Sequence, residues 1–178
     1  MILSDAVVEP LRDWGVGYVF GVSGANIEHL HDSIHRLGQG RLQSIMTRRE
    51  DASAYMADAR GRVHRTLGVC CSTAGGALLN LAVGLAESYA ESVPVLAIVG
   101  QAPSAFEGKG AFQDGSGIGR AMSAKRFLET ITKYTAKVDN PERFWTQLLA
   151  ASKAALSGRP GPTALLVARD MFAAEVPP

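Results

Sequence analysis

The sequence is short of the features that mark several large classes of protein. It has two cysteines in 178 residues, Cys70 and Cys71, adjacent in an apolar stretch. Neighbours on a strand point to opposite faces, so these two do not bridge each other. No second pair stands at metal-ligand spacing, which removes a zinc motif. They read as small buried strand residues. An excess of charge of one sign is also missing: 18 Lys and Arg meet 17 Asp and Glu, with a net charge of +1 and no basic block or acidic tail. Neither nucleic acid nor an anionic membrane is indicated as a partner. The apolar runs are broken by Gly, Ser and Glu before they reach bilayer length. The start, MILSDAVVEPLRDWG, has no basic-then-apolar signal pattern, and a cytoplasmic protein is expected. No Gly-Lys-Ser or Gly-Lys-Thr is present, and the glycine spacing does not fit a dinucleotide fingerprint.

What is there is an ordinary globular balance, 47% hydrophobic and 20% charged, in a length that suits one domain. Apolar runs alternate with helical patterns. Strands are expected over 18–22, 42–46, 67–71, 93–99 and 163–168, with another inside 127–138. Helices are expected over 5–13 with Ser4 as cap and Pro10 as a strain, and around Ile27, Leu30, Ile34 and Leu37 with Asn26 as cap. Further helices are expected over 51–60, with Ala52, Tyr55, Met56 and Ala59 on one side, over 77–89, and over 141–157 with Pro at its first turn. Strands apolar on both faces, alternating with helices, predict an α/β fold: a doubly wound parallel sheet with helices on both faces. One domain is expected over 1–170, with 171–178 a tail or linker.

In such sheets ligands bind beyond the carboxyl ends of the strands. The segments Gly21–Ala25, Arg48–Glu50, Ser72–Gly76 and Gly100–Pro103 fall there. Glu50 opens a helix, where the dipole favours any carboxylate, so position alone leaves structure and function open. The turn STAGGALLN, 72–80, admits either a ligand at backbone amides or close helix–strand packing. The loop over 100–117 is long enough to be functional. Its Phe112 and Gln113 either meet a substrate or pin the loop to the core. His29, His31 and His35 read as surface histidines on a solvated helix face.

Taken together and in order, YVFGVSGANIEHLHDSI, TRREDASAYMADARGR, GVCCSTAGGALLNLAVGLAESYAESVPVLAIVGQAP, GAFQD and GRPGPTALLV resemble the N-terminal pyrimidine-binding domain of the thiamine-diphosphate enzymes of the acetolactate synthase and pyruvate oxidase type. The resemblance covers about Ser4 to Asp170. It implies that Glu50 hydrogen-bonds N1′ of the cofactor's aminopyrimidine and promotes loss of the thiazolium C2 proton. It implies cofactor contacts for Thr73, Gly75 and Asn80 in a turn resembling TSGPGATN, with Ala74, Gly76 and Ala77 as departures. It places Ser23, Gly24, Ala25, Pro103, Phe112 and Gln113 near the substrate, with Gln113 also catalytic. Ser23 stands where Pro is usual and Asp114 where Glu is usual.

The implied reaction decarboxylates a 2-oxo acid and passes the resulting carbanion or enamine to an acceptor. The resemblance assigns no metal ligand to this chain. Asp114-Gly115 followed by Asn140 imitates the family's metal motif, but the first Gly and a preceding strand are missing. Thiamine diphosphate would therefore need a second, diphosphate-binding domain that holds Mg²⁺. A start at Met1 and an end just after the domain suggest the small subunit of a split hetero-oligomer, or else a fragment. The alternatives are a split decarboxylase of the sulfopyruvate or phosphonopyruvate type, and a noncatalytic regulatory or interaction module.

Overall fold

The structure, a computed structural model, describes residues 1–177. Six strands form one all-parallel sheet in the order β2-β1-β3-β4-β6-β5. They are β1 (Tyr18–Gly21), β2 (Gln43–Met46), β3 (Gly68–Ser72), β4 (Val95–Gln101), β5 (Tyr134–Val138) and β6 (Thr163–Ala168). Every residue of β3, β4 and β6 is buried, as expected for central parallel strands covered on both sides. β2 lies at an edge, and none of its residues is fully buried.

The helices are α1 (Leu3–Asp13), α2 (Glu28–Leu37), α3 (Glu50–His64), α4 (Gly76–Glu91), α5 (Ala124–Leu128), α6 (Phe144–Leu156) and α7 (Arg169–Phe172). The chain steps outward from β1 to β2, then back across β1 to β3 and β4. Right-handed crossovers therefore put α2 on one face and α3 and α4 on the other. Two cores result. One joins α1, α2, α6 and α7 to the sheet through Leu11, Leu30, Ile34, Phe144, Leu148 and Phe172. The other joins α3, α4 and α5 through Ala54, Ala57, Leu78, Leu81, Leu85 and Leu128. Cys71 belongs to the first core and Cys70 to the second, both as free thiols. Burial pushes the Cys71 thiol up to about 12, so neither neighbour behaves as a ready nucleophile.

Helices α3 and α4 lie unusually close because small residues face each other. A β-carbon built on Gly84 would lie 2.5 Å from Ala54 Cβ. Nearby, Ser88 Oγ donates to Asp58 Oδ2 at 2.8 Å, and Arg62 pairs with the other Asp58 oxygen.

Several local expectations are corrected. Ser4 is not a cap: α1 begins at Leu3, and Ser4 is fully buried with its hydroxyl unpartnered. The orphan N–H of Leu3 is met by Ala174 O at 2.9 Å, so the chain's far end does the capping. Asn26 does not cap α2 either. Ile27 N donates back to Gly24 O in a tight turn, the helix starts two residues after Asn26, and Asn26 is buried. Its carbonyl lies where a β-carbon on Gly100 would be 2.0 Å away, which is why β4 carries a glycine there. Ala52, Tyr55, Met56 and Ala59 do share one side of α3, but it is the outward side; Ser53, Ala54, Ala57, Asp58 and Gly61 face inward. His31 is not on a solvated face. It is largely buried, with Nδ1 2.6 Å from Ser44 Oγ and Nε2 3.7 Å from Cys71 Sγ. The tail is docked over its described part: Ile2 bridges Glu175, Val176 N donates to Met1 O, and Phe172 is fully buried.

Candidate functional site

The segments singled out at the strand ends come together at the carboxyl edge of the sheet. Glu50 is the first residue of α3, after an extended Arg49. Asp51, its neighbour, is engaged elsewhere. Arg49 donates to both its oxygens at 3.0 and 2.8 Å, and Ala52 N to one of them at 2.8 Å. The Arg49 hydrogen bonds hold the Asp51 carboxyl below its ordinary range. Glu50 is thereby left as the carboxylate that faces α4. Asn80 Nδ2 donates to Glu50 Oε2 at 3.0 Å, and Oε1 has no hydrogen-bond partner among the described residues. A half-exposed carboxylate at a helix start, steered by a neutral amide and with one oxygen unused, can take a ligand's N–H or share a proton with a ring nitrogen.

The turn between β3 and α4 supplies the second wall. Gly75 adopts φ 64°, ψ −129°, open to glycine without strain. A β-carbon there would lie 2.8 Å from both Cβ and Cγ of Gln113. The bare glycine thus seats Gln113, which itself has φ 60°. Thr73 packs its methyl against Gly24, where a β-carbon would lie 3.1 Å away. The Thr73 hydroxyl is buried and unpartnered. Ser23 and Ala25 are exposed beside it.

The long loop is the third wall. Pro103 precedes a short 3-10 turn over Ser104–Phe106. Three anchors hold the loop from that turn onward. Asp170 Oδ1 accepts from Ser104 N at 2.8 Å, and Lys137 Nζ meets Glu107 Oε2 at 2.6 Å. Asp114 accepts from Gly108 N at 2.7 Å and from Ser116 N at 2.8 Å. Burial works against the charge of Asp114, but these amide donors prevail and hold its carboxyl below the usual range. Phe112 takes no part in the anchoring and is 82% exposed. Of the two readings of Phe112, the loop-pinning one is set aside: ion pairs and amides do that work, and the aromatic ring is free.

Sequence reasoning found these residues but not all of their roles. Asn80 meets Glu50, and Gly75 meets Gln113. Asp114 was noticed as a departure and in an imitation of the metal motif, yet what its carboxylate does is hold the amides of Gly108 and Ser116 in the loop that carries Phe112 and Gln113. Gln101, buried at the end of β4 under Gly115, fell within the segment Gly100–Pro103 but was given no role of its own; a polar residue closing an apolar run was the available signal. Asn140, from the imitation metal motif, caps a helix by accepting from Glu142 N at 2.9 Å.

A carboxylate, a glycine turn and an anchored loop thus gather at the carboxyl edge of a parallel sheet, the edge at which α/β domains of this class bind ligands. Similarity to known proteins says which kind. A profile described as "Thiamine pyrophosphate enzyme, N-terminal TPP binding domain" matches residues 1–118. The chain belongs to that family. It is 34% identical over 172 residues to an acetolactate synthase of Arthrospira platensis, covering 96% of this chain and 28% of that protein. It is 33% identical over 165 residues to the acetolactate synthase isozyme 2 large subunit of Escherichia coli, covering 93% of this chain and 28% of that one. A large subunit from Haemophilus influenzae gives 33% over 167 residues, with 94% and 28% covered. The chain therefore spans about 28% of the length of the curated relatives it matches. No helix among the described residues is long and apolar enough to cross a membrane.

Proposed function

We propose that this chain supplies the aminopyrimidine half of a thiamine-diphosphate active site in an acetolactate synthase-like enzyme. The reaction is decarboxylation of a 2-oxo acid followed by transfer of the remaining carbon unit to an acceptor. The observation that carries the proposal is Glu50, held on one oxygen by Asn80 and free on the other at the strand ends. The residues fit the group: Glu50 Oε1 suits the ring N1′, and the buried Thr73 hydroxyl at the β3–α4 turn has no partner within the chain. When bound, the cofactor would supply a carbon acid whose conjugate base is the nucleophile, and an electron sink for the decarboxylation. Glu50 exchanges a proton with the ring nitrogen, and Gln113 and Phe112 face the reacting substrate from the loop. Ser23, Gly24, Ala25 and Pro103 shape the approach to it.

The diphosphate and Mg²⁺ belong to a second domain, which covers the outer side of α3 and α4. Tyr55, Met56, Val63, Leu79 and Val83 are exposed on those two helices, which also carry Glu50 and Asn80. Apolar surface continuous with a half-built site calls for a partner rather than water. Free buried thiols suit a reducing compartment, and we place the assembly in the cytoplasm.

Calorimetric titration with thiamine diphosphate and Mg²⁺ tests this, first on the chain alone and then with a diphosphate-domain partner. Metal-dependent binding is expected only in the mixture. Tight binding by the lone chain would overturn the shared site. In the reconstituted enzyme, Glu50→Gln is expected to lower turnover by about 100-fold or more. Wild-type turnover in that variant would remove Glu50 from its role. Product analysis separates carbon–carbon bond formation from release of a free aldehyde.

A further inference from the structure

Helices α3 and α4 meet at three levels, each four residues further along both chains. At the strand ends Asn80 holds Glu50 at 3.0 Å. One turn down, Gly84 faces Ala54, with room for no β-carbon: one built there would lie 2.5 Å from Ala54 Cβ and 3.1 Å from Tyr55 N. Another turn down, Ser88 donates to Asp58 at 2.8 Å, and Arg62 closes the other oxygen of that buried carboxylate. A four-residue step on both helices stacks these contacts along one seam. The lowest contact is costly to break, because Asp58 would be left buried and under-paired. The uppermost lies at the first residue of α3, where a helix end is free to fray.

We propose that Asn80 and Gly84 are positioning residues for Glu50. The close approach at Gly84, clamped below by Ser88 and Asp58, sets the distance at which the Asn80 amide reaches the Glu50 carboxylate. Glu50 is then aimed before any ligand arrives. Gly84 acts from a full turn away and touches no ligand. The functional consequence rests on the reading of Glu50 given above; the geometric claim does not.

Nuclear magnetic resonance of the full-length ¹⁵N-labelled chain tests the geometry. The side-chain amide signal of Asn80 is identified by its loss in Asn80→Ser. It is expected to move towards the position of a free amide in Glu50→Ala and, through the helices, in Gly84→Ala. It is expected to move back towards its original position when Ala54→Gly is added to Gly84→Ala, since that change removes the 2.5 Å contact and leaves only backbone contacts at 3.1 and 3.2 Å. Should Gly84→Ala not fold, Ser88→Ala decides: loosening the lowest contact is expected to move the same signal, by less. An unmoved signal in the folded variants overturns the proposal. In the reconstituted enzyme, exchange of the cofactor's C2 proton is expected to slow by about tenfold or more in both Asn80→Ala and Gly84→Ala. The double variant is expected to be no slower than Asn80→Ala alone, because both changes remove one contact. Additive losses would make Gly84 a packing residue only. A moved amide signal with unchanged C2 exchange in Glu50→Gln would leave the seam standing and sink the role of Glu50 instead.

Discussion

The two faces of the sheet are finished differently. On the face covered by α1 and α2, each helix has an apolar inner side and a polar outer side. Arg36 ties Asp5, Asp32 and Ser33 together across the outside, and among the described residues neither helix exposes a large apolar side chain. On the other face, α3 buries small residues inward and α4 buries Leu78, Leu81 and Leu85 against the sheet, while the two helices expose Tyr55, Met56, Val63, Leu79, Val83 and Tyr89. Around α1 and α2 the first face ends at water, while α6 exposes Leu149 and Leu156. The second ends halfway, with Leu79 and Val83 exposed on the helix that carries Asn80, the partner of Glu50.

Truncating the finished face should hurt the isolated chain most. Phe144, the first residue of α6, is fully buried, and Phe144→Ala is expected to cost about 3–5 kcal/mol by denaturant unfolding. A loss under about 1 kcal/mol would mean that this core is not the main source of stability. The unfinished face should behave in the opposite way. Leu79→Asp with Val83→Asp is expected to change the stability of the lone chain by only about 0.5 kcal/mol. The same pair is expected to weaken association with a diphosphate-domain partner by at least about tenfold, measured by calorimetry. Unchanged association would move the interface elsewhere.

The smallest expected effect is a pH dependence confined to the finished face. Burial lowers the pKa of His31, so the folded chain holds it neutral where the unfolded chain takes up a proton. Its contribution to stability is therefore present above the unfolded value near 6.5 and fades as pH falls through that value and below it. His31→Gln should flatten the decline in stability between about pH 7 and pH 5. An equally steep decline in the variant would assign it to other groups.

Much of the fold was legible because central parallel strands need apolar residues on both faces, and such runs stand out in one dimension. The strand over Thr163–Ala168 and the opposite-facing Cys70 and Cys71 come from that rule alone. So does the collection of candidate residues after each strand. The caps were misread at Ser4 and Asn26, since partners from residues 174 and 24 replaced the side-chain oxygens. The inward side of α3 was hidden because close helix packing selects Ala, Ser and Gly there and leaves the larger residues outside. Glu50 could be named from its motif, but Asn80 lies 30 positions away.

The sequence by itself determined the periodicities, the order of elements and the family, because these are properties of neighbours along the chain. Only the tertiary structure decided which carboxylate is free, that Gly75 seats Gln113, and that Gly84 draws α4 onto α3. Those are distances between residues that meet only after the sheet has gathered the strand ends on one edge.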